Sequence, residues 1–180
     1  ARNRNVLNDA TTPSRIDALC VKLSLSQTIA SNNHPKKTIK HQILGGTSSA
    51  LKFPMTIEKL TNNAQTAVRD AQSLSNELQH QELDCPHLLI TLLQQPESLT
   101  SVLLKRLGTD TDSLLSDLRT LLDQRPRVQG SNDTYISNNL REAFAAAEKE
   151  AKQLQDEYLS NEHLLLGIVA SSDDKTSSLL

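Results

Sequence analysis

Residues 60–104 read LTNNAQTAVRDAQSLSNELQHQELDCPHLLITLLQQPESLTSVLL, and residues 136–180 read ISNNLREAFAAAEKEAKQLQDEYLSNEHLLLGIVASSDDKTSSLL. Laid over each other, displaced by 76 positions so that Leu60 falls on Ile136, the two stretches align without a gap. Asn62-Asn63 meets Asn138-Asn139, Ala67 and Ala71 meet Ala143 and Ala147, and Leu78-Gln79 meets Leu154-Gln155. His87-Leu88-Leu89 meets His163-Leu164-Leu165, and the alignment closes on Leu103-Leu104 over Leu179-Leu180. A long ungapped repeat is the signature of one supersecondary unit used twice.

Inside each unit the apolar spacing is helical. Thr61 is a good N-cap, and Ala64, Ala67, Val68, Ala71, Leu74 and Leu78 follow at three-four intervals on one face. Ser137 holds the matched cap, with Leu140, Ala143, Phe144, Ala147, Ala151 and Leu154 on the matched face. A second helix is expected after Asp84 in repeat one and after Ser160 in repeat two, both strong N-caps. Pro86 stands in its first turn, where a missing N–H costs little. His87 to Leu93 and His163 to Val169 are apolar nearly all round, so these helices are expected at the buried centre. A third helix is expected from about Ser98 to Leu107, stopped by Gly108. A fourth follows Asp110, with Leu114, Leu115, Leu118, Leu121 and Leu122 in one stripe and Arg125-Pro126 at its end.

The resulting architecture is all-α: two tandem units of about four short helices, packed as one domain over residues 55–180. Repeat one covers 57–126, a polar loop covers 127–134, and repeat two covers 135–180. The second unit has no match for Lys105 to Gln124, so it is expected to be incomplete at Leu180. By the same reasoning, a form extended by about 30 residues is expected to be more stable.

Composition supports helices. Aromatic residues make up 2% of the chain and Trp is absent, so the core must be built from Leu, Ala, Ile and Val. No apolar run approaches the roughly 20 residues of a membrane span. Two cysteines, Cys20 and Cys85, form neither a disulfide framework nor a zinc spacing, which suits a reducing compartment. Charge is uneven. Residues 1–54 carry eight Lys/Arg and two Asp, whereas residues 55–180 carry eleven Lys/Arg and nineteen Asp/Glu. An acidic repeat region argues against nucleic acid, whose binding rests on phosphate neutralisation.

The first 54 residues lack a sustained helical period and are rich in Ser, Thr, Asn and Lys. Disorder is the expected state, because too little apolar surface offsets chain entropy. A basic, acid-poor segment also fits an organelle transit peptide. The reading preferred here makes it a leader upstream of a start at Met55.

Met55-Thr-Ile-Glu-Lys-Leu-Thr61, Asp70-Ala-Gln-Ser73 and Pro86-His-Leu-Leu89 resemble the N-terminal repeat domain of Clp-type AAA+ unfoldases. Arg125-Pro-Arg-Val-Gln-Gly130 resembles the family's inter-repeat loop, and Asp156-Glu-Tyr-Leu-Ser-Asn-Glu-His-Leu-Leu-Leu166 its second-repeat signature. The form is most similar to the ClpB disaggregase group, and the resemblance starts at Met55, as that family's initiator would. The resemblance implies a ring-forming, hexameric ATPase that threads aggregated polypeptide with the DnaK chaperone system, in the bacterial cytoplasm. It implies that this domain recruits unfolded or aggregated protein. ATP and magnesium would belong to modules outside these residues, since no G-x-x-x-x-G-K-[ST] loop appears in them. The stretch alone is therefore expected to be neither an enzyme nor a cofactor binder. Alternatives are an adaptor-docking domain of a protease-linked ClpC- or ClpA-like unfoldase, a stand-alone Clp-repeat interaction protein, and an organellar location if residues 1–54 are a transit peptide.

The resemblance places substrate handling at Thr61, Asp156 and Glu162. Each also has a plain structural role: Thr61 caps a helix, and Glu162 favours a helix N-terminus electrostatically. Repeat one carries Pro86 where repeat two carries Glu162, so an acidic site is expected on one unit only. His87 and His163 invite a metal reading, but neither has a Cys or His companion at ligand spacing, and packing or local hydrogen bonding is the expected role. Cys85 follows an N-cap, yet its match is Asn161, so the unit does not require a thiol.

Overall fold

The computed structural model describes residues 57–96, 98–128, 134–171, 175–176 and 179–180. The expectations for residues 1–54 lie outside the described residues, as do those for the centre of the inter-repeat loop. Repeat one opens with a short 3-10 turn, Ile57–Lys59. Four helices follow: α1 (Asn62–Glu77), α2 (Cys85–Gln94), α3 (Leu99–Arg106) and α4 (Thr111–Asp123). Repeat two contributes α5 (Asn138–Gln153) and α6 (Asn161–Ala170). Two short strands, β1 (Glu82–Leu83) and β2 (Tyr135–Ile136), precede α2 and α5.

The caps recur at matched positions. Thr61 Oγ1 accepts from the Ala64 amide at 3.3 Å, and Ser137 Oγ accepts from Leu140 at 2.9 Å. Each satisfies one of the orphan donors of a helix start. Asp84 caps α2 and Ser160 stands at the N-cap of α6. The far ends match too. Gln79 and Gln155 both take left-handed backbone (φ 58° and 59°). The amide of His80 bonds back to Ser75, and that of Asp156 to Ala151, each at 2.9 Å. This is a Schellman closure, and glutamine in place of glycine there costs about 1 kcal/mol per site.

The strands were not expected from the sequence, and they reveal how the repeats join. β1 runs parallel to β2, with Leu83 opposite Ile136, and Leu60 makes an isolated parallel bridge to Leu159. Leu60 matches Ile136, and Leu83 matches Leu159. Each repeat therefore lends the segment before its first helix to the segment before the other's second helix. The hydrogen bonds repeat as well: Thr61 N–H donates to Leu159 O and Ser137 N–H to Leu83 O, both at 2.9 Å. The domain has an approximate two-fold relation between its halves.

The core lies where these halves meet. α2 buries every residue from Cys85 to Leu93, and α6 buries Asn161 and His163 through Ile168. Ala64, Ala67 and Ala71 of α1 and Ala143, Ala147 and Ala151 of α5 are buried against them. Leu114, Leu118 and Leu122 seat α4 on the same core.

One matched pair sets the spacing inside each unit. Thr91 of α2 donates its hydroxyl to Ala67 O and Leu88 O, each at 2.9 Å. Its match on α6 is Gly167, where an added Cβ would stand 2.1 Å from Ala143 O. A side chain holds α1 and α2 apart, whereas a glycine lets α5 and α6 close to backbone contact.

Candidate functional site

The residues named from the sequence fall into two groups. Thr61 and Glu162 line one cleft of about 280 Å³ at the junction of the repeats. Asn63, Gln95, Leu99 and Asn161 line it with them. Thr61 is brought there by the Leu159 bridge, and Glu162 by the first turn of α6. The cleft is lined mostly by polar residues and carries one carboxylate, Glu162. Asn161 is 8% exposed; its Nδ2 donates to Gln95 Oε1 at 2.6 Å, and its Oδ1 has no protein partner. A buried acceptor left open in this way lacks the compensation that buried polar groups ordinarily have.

Asp156 is not part of that cleft lining. It lies in the turn after α5, with its Oδ2 3.2 Å from His163 Nε2, at ion-pair distance but off hydrogen-bond alignment. His163 Nδ1 accepts from the Ser160 amide at 3.1 Å, so in the neutral ring the proton sits on Nε2, toward Asp156. His163 thus completes the α6 capping box, the local hydrogen-bonding role expected from sequence.

Repeat one builds the same box with different chemistry. His87 Nδ1 accepts from the Asp84 amide at 3.1 Å, which places the neutral ring's proton on Nε2. There it faces His80 Nδ1 at 2.9 Å. His80 matches Asp156, so an imidazole stands where repeat two has a carboxylate. His80 Nε2 is then a buried donor without a partner. Burial, with His80 and Arg125 adding to it, pushes His87 down to about 4. Burial and the guanidinium groups of Arg125 and Arg127 also lower His80. The sequence pattern gave no sign of this contact, because His80 lies outside any helix.

The cleft matched to the Thr61–Glu162 cleft lies by Pro86, Asn139, Arg125 and Lys175 and has a volume of about 380 Å³. Its polarity is reversed. Pro86 replaces Glu162, and Arg125 reaches in to pair with Asp84 and, at 3.6 Å, with Glu82. Asp84 also accepts from the Cys85 amide and from the Ser137 hydroxyl, so this carboxylate stitches the repeats together. Glu82 is pushed up by burial and by Asp84, with Arg125 opposing. Among the described residues, no three His, Cys, Asp or Glu side chains are grouped to hold a metal ion. No helix among them is long and apolar enough to cross a membrane.

Paired capping boxes, exchanged strands and the second-repeat signature all point to one family, and residues 59–180 match the Clp repeat (R) N-terminal domain. The chain belongs to the Clp N-terminal domain family. The chaperone protein ClpB of Bacillus anthracis is 35% identical over 124 residues, covering 67% of this chain and 14% of that protein. A probable ATP-dependent Clp protease ATP-binding subunit of Chlamydia pneumoniae is 31% identical over 123 residues, covering 68% of this chain and 15% of that protein. The chain thus spans a small part of the length of these relatives. Among solved structures, the Hsp104 N-terminal domain of Candida albicans shares the fold with a TM-score of 0.60 at 20% identity, covering 67% of this chain and 79% of that one. The Clp domain described here is an all-α pair of repeats, as the sequence pattern required.

Proposed function

We propose that this Clp domain recruits unfolded or aggregated polypeptide for a ClpB-like disaggregase, and that client segments enter the Thr61–Glu162 cleft. The supporting observation is the convergence of Thr61, Glu162 and the open acceptor of Asn161 on one cleft at the repeat junction. Backbone amides and cationic side chains of an unfolded chain can donate to the Glu162 carboxylate and to the open Asn161 oxygen. Asp156 acts through His163, holding the start of α6 and so the position of Glu162. In this reading ATP, magnesium, the hexameric ring and the DnaK-type partner belong to the larger protein, in the bacterial cytoplasm. A second reading, docking of an adaptor for a protease-linked unfoldase, is supported by the similarity to the Chlamydia subunit.

Anisotropy titration of labelled, permanently unfolded casein tests the site. Glu162→Gln is expected to weaken binding at least fivefold, with a loss of stability below about 1 kcal/mol from the lost charge at the helix start. Thr61→Ala is expected to weaken it too, at a cost of about 1 kcal/mol in helix capping. Unaltered casein binding by both folded variants would remove the cleft from the function.

A further inference from the structure

A second cleft, of about 470 Å³, runs between α1 and α2. It shares Asn63, Gln95 and Pro96 with the Thr61–Glu162 cleft, so the two adjoin, with the Gln95 side chain, bonded to Asn63 O at 2.9 Å, at their border. Its far part is lined by Asp70, Ser73 and Glu77 of α1 and by Thr91 of α2. From these observations we infer that the α1–α2 cleft is a subsite for the Lys or Arg side chains of an extended polypeptide whose neighbouring residues occupy the Thr61–Glu162 cleft. This rests on the reading proposed above and adds to it a place and a side-chain class.

Charge is the first argument. The residues lining the adjoining clefts include three carboxylates, Asp70, Glu77 and Glu162, and no Lys or Arg. None of the three makes an ion pair among the described residues. A groove lined by one sign of charge concentrates the opposite charge.

Spacing is the second. Asp70 and Glu77 stand two helical turns apart on one face, about 10 Å along the axis. An extended chain in the polyproline II conformation rises about 9 Å in three residues and returns to the same face after three. Two basic residues three apart therefore meet both carboxylates, and the neighbouring residues of the same chain reach the adjoining cleft, which holds Asn161 Oδ1, the buried acceptor without a protein partner.

The third argument is that repeat two builds no such site at the matched place. Ala146, Lys149 and Gln153 stand where repeat one has Asp70, Ser73 and Glu77. Gly167 stands for Thr91 and draws α6 onto the Ala143 carbonyl. Opening and acidity occur together at this place in repeat one, whereas at the matched place in repeat two the carboxylates are absent and the helices close to backbone contact.

The test uses the whole chain at low salt and two labelled, unstructured twelve-residue peptides. One carries two arginines three residues apart; the other carries glutamines in their place. The double variant Asp70→Asn/Glu77→Gln alters only exposed positions of α1, and circular dichroism checks its fold. It is expected to bind the arginine peptide at least tenfold more weakly and the glutamine peptide within twofold of the unaltered chain. If the double variant binds both peptides normally while Glu162→Gln weakens them, the subsite is wrong and the recruiting cleft stands. If the double variant weakens the arginine peptide while Glu162→Gln changes nothing, the subsite stands apart from that cleft and the proposed continuity fails. A folded basic protein binding as tightly as the arginine peptide would overturn the extended occupant.

Discussion

Repeat one and repeat two follow the same backbone plan, yet they differ in packing and charge at a few matched positions. The caps, the left-handed glutamines and the exchanged bridges are matched one for one. Against that constancy stand Thr91 for Gly167, His80 for Asp156, Pro86 for Glu162 and Asp84 for Ser160. The first pair decides whether two helices part or close. The second decides what faces a buried imidazole, and the last two decide which groove is acidic. Duplication fixes a scaffold, and a few matched substitutions then give its halves different packing and charge.

The largest expected effect comes from copying the wedge into the closed repeat. Gly167→Thr would press a side chain onto the Ala143 carbonyl. Overpacking of this kind costs about 1–3 kcal/mol where neighbours yield, and more against backbone. The variant is expected to lose at least ~3 kcal/mol or to fail to fold, as read by urea unfolding. A loss under 1 kcal/mol would mean that the glycine does not set the packing.

Next in size is the response to acid. His87 is lowered to about 4 in the folded state, against roughly 6.5 when unfolded. The unfolded chain therefore takes up the proton first as pH falls. Stability is complete above about 6.5 and is lost progressively down to about 4, by on the order of 3 kcal/mol. His80→Asp, which copies repeat two's pair into repeat one, is expected to reduce this loss, because a carboxylate beside His87 favours its charged form. Urea midpoints at pH 7 and pH 5 measure it. An acid response unchanged by the substitution would break the comparison.

How much of this was legible beforehand follows from periodicity. Helix faces and N-caps leave a local signature, so α1 to α6 and their caps were readable from Thr61, Asp84, Ser98, Asp110, Ser137 and Ser160. The two-residue strands carry no period, and Leu60, Leu83, Ile136 and Leu159 read only as apolar residues before helix caps. Thr61 and Glu162 were named through family resemblance, and the fold brings them to one cleft. Asp70, Glu77 and Thr91 looked like ordinary helix positions. Their grouping depends on a helix separation set by one side chain, which no spacing rule along a single helix encodes.

The smallest expected effect separates the two matched caps. Ser137→Ala removes both a cap and a hydrogen bond to the buried Asp84. Thr61→Ala removes the cap hydrogen bond. The expected costs are about 2 kcal/mol and about 1 kcal/mol respectively. Thermal unfolding of the two variants side by side checks the difference, and equal losses would show that the Asp84 contact adds nothing.

The exchanged bridges also order events during synthesis. The amide of Thr61 reaches its acceptor only through Leu159, in the middle of repeat two. While a ribosome is still making α5, α1 can coil and α2 can collapse onto it, but that amide has no strand partner. Repeat one therefore waits, partly assembled, for the arrival of its twin. The nascent chain passes through a stage in which the Clp domain is itself an incompletely folded polypeptide.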